Sequence, residues 1–105
     1  MIKWYPNLYL DPVTKKYEGK IKRRMQKKKR TRCIYCIALA TNGNDLLDIL
    51  YTDELLFHYY NNKEIYIIGL ATTKASALDL TVQIVEDLYK KTGGFDARKY
   101  FLSQM

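Results

Sequence analysis

The densest group of chemically active side chains is basic and lies between residues 22 and 32. Eight of these eleven residues are cationic, namely Lys22, Arg23, Arg24, Lys27, Lys28, Lys29, Arg30 and Arg32. Clustered Lys and Arg neutralise phosphates and release condensed counterions, which gives affinity without sequence specificity. Upstream aromatic residues could also stack on unpaired bases: Trp4, Tyr5, Tyr9 and Tyr17. The segment therefore predicts a small protein that binds RNA or DNA through its phosphates.

The distribution of charge leaves a second interpretation open. The formal net charge is +7, yet residues 1–32 carry a net +10 and residues 33–105 carry a net −3. A basic segment beside a mildly acidic body could instead bind an acidic protein partner, a second copy of the chain, or the chain's own acidic surface. The alternative to nucleic-acid binding is thus a protein-interaction or regulatory module with a structural basic face.

Cys33 and Cys36 form a C-x-x-C pair, which in zinc sites supplies half of a four-ligand set. The sequence has no second pair, and His58 is its one histidine. Residues three apart on a strand point to opposite faces, so the two sulfurs would need a bend in order to meet. We therefore expect reduced structural cysteines in a cytoplasmic protein, with no metal and no cofactor.

The remaining polar residues do not form a pattern typical of an enzyme. His58 would need a nucleophile or a substrate carboxylate around it to act as a general base. Neither Gly-x-Ser-x-Gly nor His-Glu-x-x-His occurs. Residues 69–76 lack the glycines of a phosphate loop, so Thr72, Thr73 or Ser76 is expected only to cap a helix. The sequence predicts a non-enzymatic protein.

The chain is predicted to begin with an extended aromatic lead-in, residues 1–12. A single globular domain, residues 13–105, follows and includes the basic segment 20–32. Pro6 and Pro12 each bias the preceding residue away from helix. Beyond them, apolar residues recur every four positions, at Val13, Tyr17, Ile21 and Met25. This spacing predicts an N-terminal helix with one narrow apolar stripe and basic faces elsewhere, although a β-ribbon is an alternative. So narrow a stripe argues against membrane binding.

The rest of the chain predicts an α+β fold with a small three-stranded mixed sheet. Residues 33–40 form a continuous apolar run typical of a central strand, and Asn42-Gly43 predicts a hairpin turn into a second strand, residues 46–51. A short crossover helix, residues 52–61, leads to a third strand, residues 65–71. A right-handed crossover makes strands two and three parallel and gives the order 2-1-3.

A long amphipathic helix is predicted over residues 74–91, with a broad core face made of Ala77, Leu78, Val82, Ile84, Val85, Leu88 and Tyr89. Gly93-Gly94 should end it in a left-handed cap, before a short C-terminal helix over residues 95–102. The longest apolar run, residues 33–40, is far shorter than the roughly 20 residues that a membrane-spanning helix needs. We therefore expect neither membrane insertion nor secretion.

Overall fold

The fold is built on a four-stranded mixed sheet. The computed structural model describes residues 2–27, 29, 34–39, 47–56 and 64–104. Its strands are β1 (Ile2–Leu10), β2 (Tyr35–Leu39), β3 (Leu47–Tyr51) and β4 (Ile65–Ala71), in the order β1-β4-β2-β3. As predicted, β2 lies between β3 and β4 and is antiparallel to both. The most apolar strands therefore occupy the centre, where both faces are covered.

The expected three-stranded sheet is wrong in one respect, because the N-terminal segment forms a fourth strand. β1 pairs in parallel with β4, with Ile2 opposite Ile65 and Leu10 opposite Leu70. Pro6 is tolerated because β1 is an edge strand, where a missing N–H costs no ladder hydrogen bond. The register shifts between Trp4 and Tyr9, on either side of this proline.

The helices are α1 (Pro12–Lys16), α2 (Glu18–Gln26), α3 (Lys74–Thr92) and α4 (Ala97–Leu102), with a 3-10 helix over Thr52–Leu56. The single basic helix that we predicted is thus two short helices that meet at Tyr17. Ile21 and Met25 are buried, but Val13 and Tyr17 are about half exposed. The reason is that α1 is fixed to the sheet through Thr14, which is fully buried and donates to the Leu70 carbonyl at 3.0 Å.

Two hydrophobic clusters lie on opposite faces of the sheet. On one face, α2 packs over β2 and β4, with the buried residues Ile21, Met25, Ile34, Cys36, Ala38, Ile65, Ile67 and Leu70. On the other, α3 and α4 cover Ile37, Leu39, Ile68 and Ala71, together with Tyr5 from β1. Alternation along β2 sends successive side chains to opposite clusters. The result is three layers, with the basic helix and the long helix separated by the sheet.

The long helix is confirmed, but its predicted core face is too broad. Ala77, Leu80, Ile84 and Leu88 are buried against the sheet. By contrast, Leu78, Val82 and Tyr89 are 49%, 55% and 54% exposed. The sheet can cover only one arc of a helix, so the additional apolar residues remain in solvent. The left-handed cap is confirmed, since Gly93 has φ of 73° and its N–H donates to the Tyr89 carbonyl at 2.7 Å.

Several predicted features lie outside the described residues. They are the Asn42-Gly43 turn, Cys33, His58, the second half of the short crossover helix, and the cations Lys28, Arg30 and Arg32.

Candidate functional site

Helix α2 and the residues just after it gather five basic side chains around one open cleft of about 260 Å³, lined by Lys20, Arg23, Arg24, Lys27 and Lys29. We call this group the basic cleft. The first four recur at spacings of three and four residues, which places them on one face of a helix. Ile21 and Met25 hold the other face against the sheet. The apolar anchor therefore fixes the direction in which the cations point.

Lys22 is placed differently from the other predicted cations. Its Nζ lies 2.8 Å from a Glu18 carboxylate oxygen and 5.4 Å from the centre of the Trp4 ring. Its charge is thus partly balanced, and it does not line the basic cleft. Lys20, which the sequence analysis left out of the cluster, does line the cleft. Counting back from Arg23 and Arg24 by three and four residues would have identified it.

The aromatic residues upstream do not form a common stacking platform beside the cleft. Tyr5 is buried on the other face of the sheet and packs edge-on against Phe101, with ring centres 5.0 Å apart. The Tyr9 hydroxyl donates to the Asp87 carboxylate of α3. On the α2 side lie Trp4, which is packed among apolar residues and under Lys22, and Tyr17, which is about half exposed at the N-cap of α2. The geometry therefore favours contact with phosphates over stacking on bases.

The acidic residues of α3 cannot screen the basic cleft at close range. Asp79, Glu86 and Asp87 belong to α3, which packs on the opposite face of the sheet from α2. Asp87 is moreover engaged with Tyr9. Neutralisation of the cleft by the chain's own long helix is thus inconsistent with the layer order.

A second polar group lies where the parallel strands β1 and β4 end. The Asp11 carboxylate accepts from the backbone N–H and hydroxyl of Thr14, at 2.8 Å each, and from those of Thr72, at 2.7 and 2.8 Å. Burial would raise the pKa of Asp11, but these hydrogen bonds outweigh it and lower the pKa. Both carboxylate oxygens are occupied by protein donors. Asp11 therefore caps α1 and ties it to the start of α3.

The predicted cap of the long helix is confirmed as Thr73, whose hydroxyl accepts from the Ser76 N–H at 3.0 Å.

Cys36 is fully buried in β2, and burial raises the pKa of its thiol to about 12. Its predicted partner Cys33 is outside the described residues, as is His58. Within the described parts of the chain, no three His, Cys, Asp or Glu residues come together as metal ligands.

Comparison of the chain with protein-family models, with curated proteins and with solved structures gave no match. Among the described residues, no helix is both long and apolar enough to cross a membrane.

Proposed function

We propose that this protein is a small, non-enzymatic nucleic-acid-binding protein that contacts phosphates through the basic cleft of α2. The observation that carries the proposal is the convergence of Lys20, Arg23, Arg24, Lys27 and Lys29 on one cleft, with the acids of α3 behind the sheet. Lys28, Arg30 and Arg32 follow in sequence and would add to the same positive potential.

The contact would be with the backbone of the nucleic acid. From Lys20 to Lys27 a helix rises roughly 10 Å, so this face can reach more than one phosphate of a strand. Among the described residues, no aromatic side chain lines the cleft, so base stacking would contribute little and sequence preference would be weak. The proposal includes a cytoplasmic setting, in which the thiols would stay reduced.

A matched pair of double variants tests the proposal. Arg23→Ala with Lys27→Ala removes two cations from the cleft, whereas Lys90→Ala with Lys99→Ala removes two exposed cations from the other face of the sheet. Fluorescence anisotropy with a labelled duplex and a labelled single strand, from low to physiological salt, measures the dissociation constant.

The cleft variant should bind at least tenfold more weakly at low salt, and its slope of log K against log salt should fall by up to about 1.8. The control should change affinity less than about threefold, as expected for cations without a specific contact. Equal losses in the two variants would refute the assignment of the cleft. Absence of binding at low salt would refute nucleic-acid binding and favour an acidic protein partner.

A further inference from the structure

Helix α3 carries a second apolar stripe that faces solvent. Five apolar residues and a final threonine follow one another at alternating spacings of three and four: Ala75, Leu78, Val82, Val85, Tyr89 and Thr92. Leu78, Val82 and Tyr89 are about half exposed. Phe95, also about half exposed, stacks on Tyr89 with ring centres 5.2 Å apart and extends the stripe beyond the helix. We call these six helix residues the α3 seam.

The seam is distinct from the face that α3 buries against the sheet, where Ala77, Leu80, Ile84 and Leu88 lie. At 100° per residue the two stripes are centred roughly 120° apart around the helix axis. Alternating spacings of three and four define the a and d positions of a two-helix coiled coil, with Val82 and Tyr89 at a and Leu78 and Val85 at d. The seam is therefore shaped to receive another helix along its whole length.

The charges beside the seam specify which helix that is. Lys74 lies at a g position on one side of the seam, and Asp79, five residues later, lies at an e position on the other side. In a parallel coiled coil, the g residue of one helix pairs with the e residue of the other. In a parallel pair of identical helices, Lys74 of each copy faces Asp79 of the other. In an antiparallel pair, Asp79 would instead approach Glu86 of the other copy. Identical copies about a two-fold axis also satisfy the common symmetry of soluble oligomers.

We propose that a second copy of this chain docks on the α3 seam, with the two α3 helices parallel and related by a two-fold axis. The helices are already folded within each domain, so pairing costs no helix formation. The contact would extend over roughly 28 Å, the length of a 19-residue helix. Because α2 lies on the other face of the sheet, the dimer would leave both basic clefts accessible.

Sedimentation velocity over a range of protein concentrations tests the docking, with no nucleic acid present. The unmodified chain should shift from monomer to dimer in the micromolar range, as expected for a small interface. Val82→Glu should weaken association at least tenfold, because it puts like charges against each other in the seam. Gln83→Glu, an exposed change of similar character outside the seam, should leave association within about twofold. A chain that stays monomeric throughout, or equal effects of the two variants, would overturn the proposal.

Charge exchange and cross-linking test the parallel orientation. Lys74→Asp and Asp79→Lys should each weaken the dimer, and the double variant should restore it. In a Cys33→Ser background, Leu78→Cys should form a disulfide between copies on mild oxidation, because each seam residue meets its counterpart in a parallel pair. Cross-linking only between copies carrying Leu78→Cys and copies carrying Tyr89→Cys would show an antiparallel pair and overturn the proposal. Circular dichroism of each variant verifies that α3 is intact.

Discussion

Replacing Asp11 with Ala should destabilise the protein far more than the loss of an ordinary helix cap. The carboxylate receives four hydrogen bonds, two from Thr14 and two from Thr72, which lies 61 residues away. It joins the end of β1 and the beginning of α1 to the connection between β4 and α3. One side chain thus fixes both connections that leave the parallel pair of strands.

The size of the destabilisation follows from the Thr14 and Thr72 donors that lose their acceptor. After removal of the carboxylate, the Thr14 hydroxyl keeps a partner in the Leu70 carbonyl at 3.0 Å. The buried N–H of Thr14 and the partly buried N–H of Thr72 lose theirs. An orphaned buried donor costs about 1 to 3 kcal/mol, and a partly buried one costs less. With the loss of the cap itself included, we expect Asp11→Ala to lower the free energy of unfolding by about 3 to 4 kcal/mol.

Urea unfolding measures this quantity, with the fluorescence of the single tryptophan, Trp4, and circular dichroism as probes. The matched control is Asp96→Ala. Asp96 is also an aspartate cap, but it is exposed and accepts one backbone bond, from Lys99 at 3.1 Å. Its loss should cost about 1 kcal/mol. If the two variants lose the same stability, the reasoning from buried donors is refuted.

The dependence on pH gives the same prediction a second readout. Because the folded protein holds the pKa of Asp11 below its ordinary value of 3.8, this carboxylate stabilises the fold at pH above that value. The stabilisation is lost as the pH falls through the lower pKa of the folded state. The stability difference between the unmodified chain and Asp11→Asn should therefore be constant near neutral pH and shrink in strong acid. A difference that stays constant into strong acid would contradict the assignment.

Two further substitutions test the packing of the sheet. A Cβ at Gly69 would meet the Tyr9 carbonyl oxygen at 2.8 Å, so Gly69→Ala should push β1 away from β4. In urea unfolding, this variant should lose about 1 to 3 kcal/mol of the free energy of unfolding. Gly94→Ala is the control and should be nearly neutral, because a Cβ there meets nothing within 4 Å. In a Cys33→Ser chain, the buried Cys36 thiol, with its pKa of about 12, should react with a thiol reagent at pH 8 only when the protein opens. Prompt labelling of native protein would contradict the buried position of β2.

The central part of the fold could be predicted from the sequence because its signals are local. The apolar runs that became β2 and β4 and the glycine that ends α3 each carry their own pattern. β1 was missed as a strand because Pro6 and scattered polar residues are tolerated only at an edge, and the edge position depends on β4. Likewise, the apolar residues of α3 indicated a helix, but which arc the sheet covers depends on tertiary packing.

The candidate site could be predicted as a segment, but its surface could not. A run of charge in the sequence does not distinguish the faces of a helix, so Lys22 was grouped with the cations of the cleft and Lys20 was not. The positions of Ile21 and Met25 indicate which face of α2 is buried, and therefore which cations lie on its exposed face. Asp11 followed by Pro12 is a typical helix start, so its capping role had a local signal. Its bonds to Thr72 had none, because Thr72 is distant in the chain.

The topology places the basic helix α2 and the long helix α3 in separate layers. β1 and β4 are parallel neighbours, yet β1 is followed by α2 on one face of the sheet and β4 by α3 on the other. With a helix layer about 10 Å from the sheet on each side, the two helix layers are roughly 20 Å apart. That distance exceeds the Debye length of about 8 Å at physiological ionic strength more than twofold. Because α3 carries three acidic and three basic residues, its net charge is zero, and it scarcely reduces the potential at the basic cleft. The proposed phosphate binding by α2 and the proposed self-association through α3 would therefore use opposite faces of the sheet.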